Sequence, residues 1–374
     1  MELLIYLILF LLVLIVSSTT NKLLPFLPLP LVQILLGIVI GLFLPNTDFH
    51  LNTELFLALV IGPLLFRESE EADITAILKH WRIIVYLIFP VIFISTLSLG
   101  GLAHLLWLSL PLAACLAVGA ALGPTDLVAF ASLSERFSFP KRVSNILKGE
   151  GLLNDASGLV AFQVALTAWT TGAFSLGQAS SSLIFSILGG FLIGFLTAMT
   201  NRFLHTFLLS VRATDIASEL LLELSLPLIT FFLAEEVHVS GIIAVVVAGI
   251  LKASRFKKIT LLEAQVDTVT ETVWHTVNFM LNGSVFVILG MELEMIAEPI
   301  LTNPIYNPLL LLLSLVALTF VLFAIRFVMI YGYYAYRTRR LKKKLNKYMK
   351  DMLLLTFSGV KGTVSIATIL LIPS

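Results

Sequence analysis

Two short polar stretches stand out in an otherwise apolar chain. Glu150, Asn154 and Asp155 lie in Lys148-Gly149-Glu150-Gly151-Leu152-Leu153-Asn154-Asp155, which runs straight into the apolar segment Ala156–Trp169. Earlier, Gly123-Pro124-Thr125-Asp126 interrupts the apolar run Leu116–Phe130. Pro124 removes a backbone donor and frees carbonyls around Ala120 and Ala121. Thr125 and Asp126 add hydroxyl and carboxylate oxygens beside them. A hard monovalent cation takes oxygen ligands of these kinds. Thr125, Asp126, Asn154 and Asp155 therefore form a candidate cation site if the two segments cross. Each also has a plainer role. Asn154 and Asp155 suit the first turn of a helix, as caps. Asp126 suits a half-helix end, opposite a cation at a second break, and both jobs are compatible.

The elements that must position these residues follow from composition. The chain has 374 residues, 58% hydrophobic and 13% charged. A soluble domain carries about 25% charged residues, so the mean hydropathy of +1.01 points to a polytopic membrane protein. The first apolar segment has no basic leader and no small-residue cleavage site, so it reads as a retained span rather than a signal peptide. Cys115 is the only cysteine, which excludes internal disulfides and cysteine-built metal sites.

Twelve apolar segments are long enough, or nearly so, to cross a bilayer. They are Leu3–Val16, Leu29–Leu44, Leu55–Phe66, Ile83–Leu106, Leu110–Leu133, Leu152–Trp169, Leu183–Leu204, Ile216–Ala234, Ser240–Leu251, Val273–Met291, Pro308–Tyr334 and Met352–Pro373. Outside these spans, every Lys and Arg falls in an odd-numbered loop. Even-numbered loops are neutral or acidic, with Glu54, Glu235, Glu236 and Glu292 among them. Basic loops stay cytoplasmic. The expected protein is thus a multi-pass cell-membrane protein with its N-terminus outside. The basic run Arg337–Lys350 marks this topology and meets anionic membrane lipid. Nothing in the composition calls for nucleic acid. Five of the six histidines, His80, His104, His205, His238 and His275, are scattered and form no cluster.

Apart from Arg202 at the very end of the seventh span, two basic residues, Arg326 and Lys361, remain inside the spans. Ionisable groups at that depth need partners. The acids available to them are Asp126, Asp155 and Glu150, with Glu68 near an inner end. Glu150 and Arg326 are expected to form a structural ion pair. Lys361, in Ser358-Gly359-Val360-Lys361-Gly362-Thr363, sits at a second small-residue break and would compensate its half-helix end. Interrupted helices at corresponding places in two halves point to inverted repeats around a midplane site. The whole of 1–374 then reads as a single transmembrane domain. Within it, 1–170 is a first repeat, 179–205 a linker helix and 214–374 an incomplete second repeat. The arithmetic expects a thirteenth helix beyond Ser374.

The two central motifs together resemble the monovalent cation:proton antiporter superfamily, in the branch of Asn-Asp bacterial Na⁺/H⁺ antiporters and animal sodium/proton exchangers. Ser240–Gly249, Asn282–Leu293, Arg326 and Phe357–Gly362 agree with it, so the likeness covers nearly the whole chain. The resemblance implies an all-α fold of two inverted six-helix repeats with crossed broken helices. It also implies a homodimer in which a mobile core moves against a static domain. Asp155 would bind cation and proton in turn, with Asn154 the neighbour found in electroneutral members. The chain departs from the pattern in three places. Lys361 stands where Arg is usual, Gly151 where some members have Ser, and Arg67-Glu68 where an acid follows Leu-Leu-Phe.

The resulting expectation is Na⁺/H⁺ exchange by competition at Asp155, with Li⁺ as a further cargo and no cofactor beyond the transported ions. K⁺/H⁺ exchange is the alternative, a cation or proton channel the remoter one. An intramembrane aspartyl protease would need Gly-x-Gly-Asp, and the chain has Gly-Pro-Thr-Asp.

Overall fold

A computed structural model describes residues 2–24, 26–43, 53–107, 110–125, 139–171, 176–211, 215–253, 261–302, 308–340, 342 and 345–358. The described residues form helices and turns, with no strand among them. Each predicted apolar segment is helical in at least part of its described residues. The helices are α1 (Glu2–Leu23), α2 (Leu29–Phe43), α3 (53–71), α4 (Trp81–Leu106), α5 (Leu112–Ala121) and α6 (Lys141–Thr171). Then follow α7 (Leu176–Ser210), α8 (Ile216–Glu236), α9 (Gly241–Ala253), α10 (Leu261–Thr302), α11 (Pro308–Arg340) and α12 (Met349–Phe357). Five described helices are long and apolar enough to cross a membrane by themselves.

Prolines shape α3 and α4. Pro90 lies inside a π turn, Leu87–Val91, and a matching π turn, Leu57–Ile61, leads into Gly62-Pro63. A proline lacks the N–H of the ordinary ladder, and a wider turn absorbs the missing bond.

The helices sort by packing into two bundles. One holds α1, α2, α3, α7, α8, α9 and α10; the other holds α4, α5, α6, α11 and α12. Between them the principal packing is that of α6 on α9 and on α3. The first bundle is built on two close crossings. A Cβ at Gly37 of α2 would fall 2.2 Å from the Val287 carbonyl oxygen of α10, and one at Gly290 would fall 2.2 Å from that of Ile34. Likewise, a Cβ at Gly249 of α9 would fall 2.5 Å from the Phe66 carbonyl oxygen of α3. The second bundle packs Ile83, Leu87, Ile146, Ile330, Tyr334 and Leu355 into one buried cluster. Outward faces stay apolar, as with Leu309, Leu312, Val316 and Phe320 on α11. In a bilayer such faces meet lipid.

Helix ends that flank odd-numbered loops form charged contacts. Lys252 at the end of α9 meets Glu70 at the end of α3 and Glu223 near the start of α8. Arg142 at the start of α6 meets Asp351 of α12.

Candidate functional site

The helix carrying the central motif begins earlier than its sequence suggests. Expected from Leu152, α6 instead starts at Lys141, after Pro140. Its 31 residues span about 46 Å, so it projects beyond the apolar slab. Glu150, Asn154 and Asp155 are therefore well inside the helix rather than at its start. Helix capping is thereby excluded for Asn154 and Asp155.

Helix α5 stops at the expected interruption. Leu122 N–H donates to the Val118 carbonyl and Gly123 N–H to that of Ala120, after which Pro124 has no N–H to continue the ladder. Thr125 follows, buried to 5% exposure. The Asn154 side chain, fully buried on α6, donates from Nδ2 to Thr125 Oγ1 at 2.8 Å. The structure thus brings the α5 break against α6 at the residue before Asp155. The backbone of Asp155 is part of α6. Its side chain, and the whole of Asp126 and Lys361, lie outside the described residues.

One turn of α6 from Asn154, Glu150 is buried at 0% exposure. Arg326 of α11 grips it with both nitrogens: Nη1 donates to Oε1 at 2.6 Å and Nη2 to Oε2 at 2.8 Å. The third donor, Nε, reaches the Leu355 carbonyl of α12 at 3.0 Å. Leu355 lies in the last turn before the Ser358 break, where helix carbonyls lose their intrahelical partners. Arg326 thus joins three helices and satisfies a carbonyl in the last turn of α12. Sequence reasoning had no means of finding the carbonyl, because any residue supplies one.

A second charged cluster went unforeseen. Lys252, expected in a loop, is in the last turn of α9 with a side chain only 9% exposed. Its Nζ lies 2.8 Å from Glu223 Oε1 and 3.3 Å from Glu70 Oε1. Trp274 of α10 donates Nε1–H to the same Glu223 oxygen at 3.0 Å. Arg67 pairs with Glu70 at 2.9 Å and Glu71 at 2.7 Å. Glu223 was absent from the expected set of buried acids; its position in the first half of the apolar segment Ile216–Ala234 was the available signal. Arg67 thus pairs with acids of its own helix and lies 5.9 Å from the Trp274 ring centre of α10, and Glu68 is half-buried beside it.

Among the described residues, no three His, Cys, Asp or Glu side chains converge as a metal centre would need. The polar features near Asp155 are instead a hydroxyl, an amide and a helix break. Such a break, buried between transmembrane helices and braced by a paired charge, is the layout of a secondary ion transporter.

This chain belongs to the sodium/hydrogen exchanger family, whose transmembrane profile matches residues 7–374. It is 36% identical over 369 residues to a sodium, potassium, lithium and rubidium/H⁺ antiporter of Bacillus pumilus, covering 98% of this chain and 55% of the relative. A protein of the same description from Bacillus subtilis is 35% identical over 361 residues, covering 96% and 54%. The chain spans about half the length of these curated relatives. The sodium proton antiporter MjNhaP1 of Methanocaldococcus jannaschii shares the fold, with a TM-score of 0.71 at 19% identity over 99% of this chain and 86% of that one. The family is one of membrane transporters rather than enzymes.

Proposed function

We propose that this chain exchanges Na⁺, and Li⁺ with it, for H⁺ across the cell membrane, at a site centred on Asp155. The observation that carries the reading is the Asn154–Thr125 contact, which docks the α5 break on α6 beside Asp155. Thr125, Asp126 and the freed carbonyls supply oxygens suited to a dehydrated monovalent cation. Burial penalises a bare carboxylate, so Asp155 holds either a proton or a cation, and the two compete. Only the neutralised site crosses at low cost, which couples the two fluxes. Asn154, being neutral, adds no charge, and exchange is electroneutral. Glu150 and Arg326 act as structure: both charges are spent on each other and on the Leu355 carbonyl.

The bundle of α4, α5, α6, α11 and α12 is the moving part, and the other bundle is the static one through which a homodimer forms. The two-bundle packing supports this. It also supports inverted repeats, because the α2–α10 crossing in one half has a counterpart in the α9–α3 crossing. The alternation of basic and acidic loops along the sequence supports an N-terminus outside, with the Arg337–Lys350 run against anionic lipid.

K⁺/H⁺ exchange is the second reading, favoured by the potassium and rubidium in the names of the Bacillus relatives. The test is pH-gradient-driven exchange in vesicles loaded with Na⁺, Li⁺ or K⁺. Asp155→Asn should fold and abolish all exchange. Normal exchange by that variant, or an ohmic current from the native protein, would overturn the proposal.

A further inference from the structure

Helix α6 offers the second bundle one continuous ridge, since residues four apart share a helix face. Glu150 on this ridge takes Arg326, and Asn154 takes Thr125. The next member is Gly158, which is buried. A Cβ built on Gly158 would fall 2.0 Å from Pro124 Cγ and 2.8 Å from Pro124 Cδ. The ring of the helix-breaking proline therefore sits where a side chain at position 158 would be. Proline is rigid and Thr125 is bonded directly to it, so the seat of the ring fixes how far Thr125 stands from α6.

We propose that Gly158 is a positioning residue for the ion site: by leaving room for Pro124, it sets how closely Thr125 stands to α6 at the turn that carries Asp155, and so the size of cation that fits. The idea rests on the exchange activity proposed above. A methyl group at 158 must push the Pro124 ring outward. Thr125 then moves with it and stretches the 2.8 Å bond to Asn154. The widened site loses small cations before large ones.

The experiment compares native protein, Gly158→Ala, Pro124→Ala and the double variant, reconstituted in vesicles, with apparent KM for Li⁺, Na⁺ and K⁺ measured for each. Gly158→Ala should raise KM by roughly threefold to tenfold, the size of a coupling between touching groups, with Li⁺ affected most and K⁺ least. The same methyl added to Pro124→Ala should change KM less than about twofold, because the struck ring is gone. Unchanged KM in Gly158→Ala, or a uniform fall in Vmax with all KM values preserved, overturns the positioning role. If Gly158→Ala fails to accumulate, recovery of folded protein in the double variant supports the clash, and no recovery overturns it. Absence of exchange by the native protein would instead refute the functional reading on which this one depends.

Discussion

Arg326 and Glu150, 176 residues apart, meet in a two-pronged ion pair that is nearly sealed from solvent. Removing one partner leaves the other charge buried, which typically costs about 3–5 kcal/mol. Glu150→Ala and Arg326→Met should each lower the thermal unfolding midpoint in detergent sharply. Combining Glu150→Gln with Arg326→Met should cost less than the two single losses added. An unchanged midpoint in Glu150→Ala would mean that the pair does not hold the bundle.

The Asn154–Thr125 bond predicts a different pattern. Thr125→Val keeps the shape and removes the acceptor of Asn154, while Asn154→Ala leaves a buried hydroxyl short of a partner. Losses of this kind run at about 1–3 kcal/mol. Both variants should fold, and both should weaken apparent cation affinity in exchange assays. The double variant should be little worse than either single one. Simple additivity would show that the two side chains act separately.

At the α2–α10 crossing, backbone touches backbone, so no rotamer change can make room for a side chain. Gly37→Val or Gly290→Val should destabilise the first bundle by at least about 1–3 kcal/mol, the usual cost of overpacking. Gly332, with nothing within 4 Å of its added Cβ, is the control and should tolerate alanine. Equal effects at Gly37 and Gly332 would argue against the crossing.

Much of this architecture is legible from the sequence, for a physical reason. Backbone polar groups in a bilayer must be satisfied by the protein, and a helix does this within a single segment, so apolar runs become helices with little competition. Scarcity does the rest. Arg326 had few acids to choose from, and Glu150 was the expected partner. What sequence hides is anything without a side-chain signature. The Leu355 carbonyl gripped by Arg326 is one case, and the space over Gly158 filled by Pro124 is another. The start of α6 at Lys141 was missed because charged residues beyond the slab read as loop, although a helix continues through them. Lys252 and Glu223 were overlooked for a related reason: near a membrane surface, a buried pair and a solvated pair look the same in sequence.

Lys252 provides a test of that cluster. Its ammonium lies between Glu70 and Glu223 and 5.6 Å from the Phe66 ring centre. Lys252→Met keeps much of the stem packing but leaves two carboxylates facing each other. The folded protein should lose stability, and Lys252→Met with Glu223→Gln should regain part of it. Because the groups are largely buried, salt should screen the native cluster weakly. If high salt lowered native stability as much as Lys252→Met does, the cluster would be a surface pair of little consequence.

His80 gives the pH prediction. It stands at the N-terminal start of α4, outside the spans and half-buried. Burial first, then Arg142, Arg337 and Lys79, pushes its pKa below the ordinary 6.5. Arg142 is itself partly balanced by Asp351 at 3.4 Å. Between the folded value and 6.5, the unfolded chain binds more protons at this site than the folded one. The contribution of His80 to stability is thus complete above 6.5 and is lost as pH falls through the folded value. His80→Gln should leave the unfolding midpoint near neutrality almost unchanged and make its decline below about pH 6 shallower. Midpoints recorded across that range for both proteins decide the matter, since parallel acid limbs would mean that the three cations do not act on this imidazole.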